Sequence, residues 1–227
     1  MEKSVFKKLE NFFSKRKLLN YKKGEIIIRS DDIPQGVFYV QKGYVSLYTM
    51  LEDGRQITLN IFKPGSYFSM MWAISDIPNA YCFQAITQTS LYRAPKGEVV
   101  DFLKRNPDVL FDVTRRILVG LDGILTIIQH LVSGTAYQKI GTTLVILAKR
   151  FGRKSRNLGI TIELALTHQD IANLCGITRE TTSLAMKKLE KKKLISYNTH
   201  HVVVKSVLKL EKNLKRKNLF HTTLITL

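Results

Sequence analysis

The sequence predicts an α+β fold in three parts: a small, turn-rich β-barrel or sandwich, one long amphipathic helix, and a basic helical domain carrying a helix-turn-helix with a β-hairpin behind it. Three observations predict it. All five prolines and most aromatics of the 227-residue chain lie before residue 112, the hydrophobic period lengthens at Pro107, and the basic excess is concentrated at the C-terminal end. Residues 1–106 hold 16 basic and 10 acidic side chains, residues 107–136 hold 2 and 3, and residues 137–227 hold 18 and 5. A strongly basic domain joined to a weakly charged one is the footprint of polyanion binding, because each cation set against a phosphate releases condensed counterions.

The first segment, Val5 to Leu19, is expected to form one or two helices packed on the barrel. From Tyr21 to Pro95 short apolar runs alternate with turn residues: Glu25–Arg29, Gly36–Val40, Tyr44–Tyr48, Gln56–Asn60, Ala80–Gln84 and Ser90–Arg93, separated by Lys23-Gly24, Lys42-Gly43, Glu52-Asp53-Gly54 and Lys63-Pro64-Gly65. Such spacing predicts short antiparallel strands. From Pro107, apolar residues recur every three or four positions at Val109, Val113, Ile117, Leu121, Ile124, Ile127, Ile128 and Leu131, which predicts a helix of more than six turns. A helix of that length either packs on its own barrel or pairs with a copy of itself through a near-heptad seam. Gly120 and Gly123 lower its intrinsic helicity by about 1 kcal/mol each. Ser133-Gly134-Thr135 reads as a hinge, giving boundaries at 1–106, 107–134, 135–207 and an appended basic helix or tail at 208–227.

After the hinge, Ala136–Phe151 has helical periodicity, Arg150–Arg156 reads as a basic loop and Gly159–Glu163 as a strand. Thr167-His-Gln-Asp170 has the form of a capping box, opening a helix that stops at Gly176. Thr178 then caps a second helix running through Lys188 or slightly beyond, with Ala172 small at the crossing and Ile171, Ile177, Ala185 and Leu189 supplying apolar faces. Two helices joined by so short a glycine-containing turn form a helix-turn-helix. Leu194–Tyr197, the turn Asn198-Thr199-His200 and His201–Val204 make a wing-like hairpin.

In this geometry the second helix presents its N-terminal side chains to the major groove of duplex DNA, where arginine can bond guanine O6 and N7 and a carboxylate can accept from cytosine N4. Arg179 and Glu180 occupy that end, Thr181 and Ser183 are next in reach, and Leu184 can meet a thymine methyl or face a neighbouring helix. Thr167, His168, Gln169, Thr178, Lys187, Lys188 and His200 are placed for phosphates, which fix register without reading sequence.

The segment Leu166–Leu189, with Arg179-Glu180-Thr181 opening the second helix, resembles the Crp/Fnr family of bacterial transcription regulators, and the glycines at 24, 43, 54 and 65 fit that family's turns. The resemblance spans about residues 15–207. It implies a cyclic-nucleotide-binding-type β-roll (a jelly roll), a long dimerisation helix and a C-terminal winged helix-turn-helix. It further implies a cytoplasmic homodimer on a roughly palindromic DNA site, with room for an RNA polymerase contact. Two departures stand out. Leu184 replaces a second arginine of the reading helix. Ser69-Met70 and Asn79-Ala80 stand where cyclic-nucleotide-binding members carry Gly-Glu and Arg-Ser, and Ile124-Leu125 stand where they contact the purine. Without that carboxylate and guanidinium, cyclic AMP is not the expected effector. The candidate effector pocket is therefore Phe68, Ser69, Met70, Met71, Asn79, Ala80, Ile124 and Leu125, an apolar lining extended by Trp72 and Phe83 that suits an unidentified small organic molecule or a filled core.

Other functions are disfavoured. Cys82 alone in the N-terminal half cannot hold an iron-sulfur cluster, and residues 1–106 contain no histidine for haem or for a cupin-type metal, so no cofactor or metal is expected. Cys82 and Cys175 read as reduced small hydrophobes. No GxSxG, HExxH or glycine-rich phosphate loop appears, so no enzymatic activity is expected. No run approaches the roughly 18 apolar residues of a membrane helix, and the start lacks a secretory core. The alternative function is a ligand-sensing adaptor whose basic domain binds RNA or an acidic protein. Only Tyr137, Phe151, Tyr197 and Phe220 follow residue 136, few stacking rings for RNA recognition.

Overall fold

The computed structural model describes residues 3–155, 159–198 and 201–214, apart from the side chains of residues 3, 126, 127, 129–133 and 155. The chain divides into two compact units, Met1–Ile117 and Leu118–Leu227.

The first unit opens with α1 (Lys3–Ser14), which buries Val5, Leu9 and Phe13, one residue per turn along a single face. The helix stops short of the expected Leu19. Leu18 and Leu19 lie instead in β1 (Lys17–Tyr21), paired opposite Tyr92 and Leu91. The strand alternates: Leu19 and Tyr21 pack against the core, while Leu18 faces outward. There follow β2 (Ile26–Ile28), β3 (Val37–Lys42), β4 (Val45–Met50), β5 (Gln56–Phe62), β6 (Tyr67–Phe68), the short helix α2 (Met70–Ser75), β7 (Cys82–Ala85) and β8 (Thr89–Ala94). They form two antiparallel four-stranded sheets, β1-β8-β3-β6 and β2-β7-β4-β5. The turn between β3 and β4 needs Gly43: its φ is +84°, and an added Cβ would collide with the Gln88 carbonyl. After β8 come α3 (Lys96–Arg105) and α4 (Pro107–Ser133).

Strand β3 is buried on both faces because alternate residues serve two cores. Phe38 and Val40 point into the roll with Ile28, Val45, Phe68, Phe83 and Leu91. Val37 and Tyr39 point the other way, into a core shared with α1, α2, α3 and the first turns of α4 through Val109 and Val113. Asp112, on the same part of α4, is buried and bound by Arg115 Nη2 at 2.9 Å and Arg116 Nε at 2.7 Å. Helix α4 packs on its own roll only at its start. Its start is anchored on the roll, whereas Leu110, Phe111, Ile117, Leu118, Leu121, Ile124, Leu125 and Ile128 remain between 38% and 73% exposed. The side chains of Ile127 and Leu131 lie outside the described residues.

In the second unit α5 (Ala136–Phe151) starts at a capping box in which Thr135 N donates to Gln138 Oε1 at 3.0 Å and Gln138 N donates to Thr135 Oγ1 at 3.3 Å. The expected basic loop is in part a strand, β9 (Gly152–Ser155), paired with β10 (Gly159–Ile162); Arg156 lies outside the described residues. Next come α6 (His168–Cys175), α7 (Arg179–Lys191), β11 (Ile195–Asn198) and β12 (His201–Val204), giving the sheet order β11-β12-β10-β9. The expected helix or tail begins as a structured helix, α8 (Val207–Asn213), and residues 215–227 lie outside the description. Leu210 and Leu214 are fully buried, Leu214 filling a notch at Gly141 where an added Cβ would stand 2.5 Å from Leu214 Cδ2. The α+β architecture expected from the sequence is the one observed.

Candidate nucleic-acid interface

Local chemistry fixes both helices of the motif. At the head of α6, Thr167 N donates to Asp170 Oδ2 at 2.8 Å and Asp170 N donates to Thr167 Oγ1 at 3.1 Å. The helix ends where Gly176 takes a left-handed conformation, φ 63°, and returns its N–H to the Ala172 carbonyl. Thr178 caps α7, with its Oγ1 accepting from Thr181 N at 3.2 Å. The inner face of α7 is Thr182, Ala185, Met186 and Leu189, all buried; Ile171, Ala172 and Cys175 of α6 are buried too. Burial in apolar surroundings pushes the Cys175 thiol up to about 11, so it packs as a neutral hydrophobe.

The outer face carries the expected reading residues. Arg179 and Glu180 are exposed at the capped end and make no ion pair or hydrogen bond among the described residues. Leu184 is 71% exposed and faces away from the neighbouring helices of its unit. Lys187 is exposed beside it. The other candidates are engaged within the domain. Thr181 Oγ1 lies 2.9 Å from Thr178 Oγ1, and Gln169 Nε2 donates to Asn173 Oδ1 at 2.8 Å. The Lys188 ammonium sits 5.2 Å over the Tyr137 ring, with Lys192 at 5.0 Å, so Lys188 is directed at α5 rather than placed alongside Lys187. Ser183 Oγ lies 2.9 Å from His168 Nδ1, and His168 Nε2 lies 3.1 Å from the Tyr197 hydroxyl on β11. His168 therefore uses both ring nitrogens inside the protein, leaving none for the phosphate contact expected of it. His200 and Thr199 lie outside the described residues. Sequence reasoning overlooked Tyr197 and Tyr137; the scarcity of aromatics in the basic third was the signal.

The expected effector-pocket residues of the first unit are divided between two cores and the surface. Phe68 lies in a ring stack that fills the roll, 4.8 Å from Phe83, 5.1 Å from Phe38 and 5.4 Å from Phe62 between centroids. Met70 lies in the other core, beyond Ser69, whose left-handed backbone (φ 65°) turns the chain between them. Among the described residues Ser69 Oγ is buried without a partner, and Met71 is 57% exposed. Asn79 Nδ2 donates to the carbonyls of Arg29 and Tyr81, both at 2.8 Å, and exposed Ala80 accepts from Ser30 Oγ through its carbonyl. Ile124 and Leu125 are half-exposed on α4. A cavity of about 190 Å³ opens instead outside the roll, lined by Phe6, Glu10, Tyr39, Gln41, Gly65 and Tyr92 among others.

A family model described as a cyclic nucleotide-binding domain matches residues 18–106, and one described as a Crp-like helix-turn-helix domain matches residues 138–212. The chain belongs to the Crp/Fnr family. This DNA-binding transcription regulator is 28% identical over 190 residues to the global nitrogen regulator of Nostoc sp., covering 81% of this chain and 83% of the relative. It is 29% identical over 185 residues to the nitrogen fixation regulation protein FixK of Rhizobium meliloti, covering 80% and 79%. The solved structure of FixK2 from Bradyrhizobium japonicum shares the fold with a TM-score of 0.74 at 21% identity, covering 86% of this chain and 96% of that one. The match of the basic unit to a Crp-like helix-turn-helix favours transcription regulation over the adaptor reading. Members of the family bind DNA and act as dimers. Among the described residues no helix is long and apolar enough to cross a membrane.

Proposed function

We propose that this regulator acts in the cytoplasm as a homodimer, reads a palindromic duplex site through Arg179, Glu180 and Leu184, and does so without cyclic AMP. The observation that carries the reading is the outer face of α7, where an arginine and a carboxylate stand exposed and uncommitted at a capped helix start, with an exposed leucine one turn along. Arginine and glutamate match guanine and cytosine edges, and Leu184 supplies an apolar surface for a thymine methyl. Lys187 serves the phosphates, while Thr167, Gln169 and Thr178 are held in bonds that order the helix starts. The half-exposed stripe on α4 offers the second copy an apolar seam, and two-fold symmetry then maps onto half-sites about one helical turn apart. The roll acts as a folded support rather than a nucleotide receptor: stacked phenylalanines occupy its interior, and Ser69, Met70, Asn79 and Ala80 offer neither carboxylate nor guanidinium. The activity is binding, without catalysis, and a polymerase contact belongs to the same reading.

Selection from a random duplex library with ligand-free protein tests it. The expected result is an enriched palindrome whose affinity exceeds that for scrambled DNA by orders of magnitude and is indifferent to added cyclic AMP. On that site Arg179→Ala should cost about 1–3 kcal/mol and little on scrambled DNA, whereas Lys187→Ala should weaken both and lower the salt slope by about one. Only salt-sensitive binding without enrichment, or equal losses on both DNAs for Arg179→Ala, would refute the assignment.

A further inference from the structure

The His168 ring joins three elements that would otherwise meet the duplex separately. Its backbone is the first residue of α6, held by the Thr167–Asp170 capping box. Its Nδ1 reaches Ser183 Oγ on the second turn of α7 at 2.9 Å, and its Nε2 reaches the hydroxyl of Tyr197 on the wing strand β11 at 3.1 Å. The two partners lie 15 and 29 residues away along the chain, so only the folded domain brings them together. A neutral imidazole satisfies both: the protonated nitrogen donates to one hydroxyl and the bare nitrogen accepts from the other. Ser183 lies directly before Leu184 and one turn after Arg179 and Glu180, so fixing Ser183 fixes the rotation and depth of the reading face. Tyr197 is 41% exposed, at the edge where a wing meets a backbone.

We propose that His168 is a positioning residue for site discrimination: through Ser183 and Tyr197 it locks the reading helix and the wing into one rigid unit, and it does not itself contact phosphate. The proposal rests on the DNA-reading assignment above and deepens it. A rigid constellation discriminates because the correct base pairs are met without a further ordering cost, while general attraction to phosphates depends little on the angle of α7.

The test uses full-length protein on the selected site and on scrambled duplex over a range of salt. His168→Phe keeps a ring and removes both bonds; it should lose about tenfold on the selected site, less than about twofold on scrambled DNA, and leave the salt slope unchanged. Tyr197→Phe, which removes one surface hydroxyl, should lose about threefold in the same selective way, and the double variant should be no worse than His168→Phe alone. His168→Gln, whose amide can still reach Tyr197, should recover part of the loss. His168→Arg separates the readings most sharply, since a phosphate role predicts tighter binding with a steeper slope and the positioning role predicts lost discrimination. Equal losses on both DNAs with a slope reduced by about one, or a gain with His168→Arg, overturns the proposal. Should the wild type select no site, the function assigned above fails, and thermal unfolding still judges the bridge: strictly additive losses for His168→Phe and Tyr197→Phe overturn it, and a non-additive pair supports it.

Discussion

Asp112 shows how one buried charge is made tolerable. Burial by itself raises its carboxyl, but the guanidiniums of Arg115 and Arg116, hydrogen-bonded at 2.9 and 2.7 Å, outweigh burial and hold it below the usual carboxylate range. The stability it contributes is therefore fully present above the unfolded value of about 3.9 and is lost as pH falls through the lower folded value. Asp112→Asn should destabilise the roll by about 1–3 kcal/mol at neutral pH, and the gap should close as the solution is acidified below about pH 4. Calorimetric unfolding of both proteins between about pH 6 and pH 2 checks this; a gap independent of pH would mean that the two arginines do not depend on the charge. The same scale separates residues whose roles were readable from those whose roles were not. Arg179 and Glu180 stand exposed at the capped start of α7, a position that followed from sequence, whereas the outward orientation of Leu184 emerged only with the folded unit. His168 has the same address relative to the capping box, but its role depends on Ser183 and Tyr197 arriving beside it, which no local pattern announces.

At the level of elements, legibility follows how local the determining interactions are. The caps at Thr167 and Thr178 and the left-handed Gly176 act within four residues, and each falls where the sequence placed it, whereas Thr135, expected as part of a hinge, is also a cap. The sequence of β1 is compatible with helix as far as Leu19 because adjacent Leu18 and Leu19 suit either period, and the deciding partner, β8, lies far along the chain. The segment of α8 stays open between helix and tail in the sequence for a related reason: Leu210 and Leu214 acquire meaning only against the notch at Gly141. That notch supports a prediction. Gly141→Ala should raise the intrinsic helicity of α5 yet destabilise the second unit by about 1–3 kcal/mol, because the added methyl meets the Leu214 side chain. Hydrogen exchange should then accelerate first in α8; unchanged protection there would show that Leu214 can shift at no cost.

For the whole molecule the decisive element is α4, which buries Val109 and Val113 in the core between β3 and helices α1–α3 and then leaves an apolar stripe half-exposed over the following turns. Patches of this kind on soluble proteins mark association surfaces. Leu121→Glu places a carboxylate within the stripe, and sedimentation should show the dimer constant weakened at least about tenfold, with specific DNA affinity falling in parallel. A protein that remains dimeric would move the interface elsewhere.

The order of strands in the roll has a consequence for biosynthesis. Strands β1 and β3 both pair with β8, which ends only at Ala94, and β3 presents four consecutive apolar residues, Val37 to Val40, to two cores. On the ribosome, neither strand has this partner until the chain is made past Ala94, several seconds after β1 at about 5–20 residues per second. The first sheet then closes late, and a chain released before residue 94 would leave β1 without its partner and β3, with its four apolar residues, held only by the two-residue β6, an opening for chaperones and proteases.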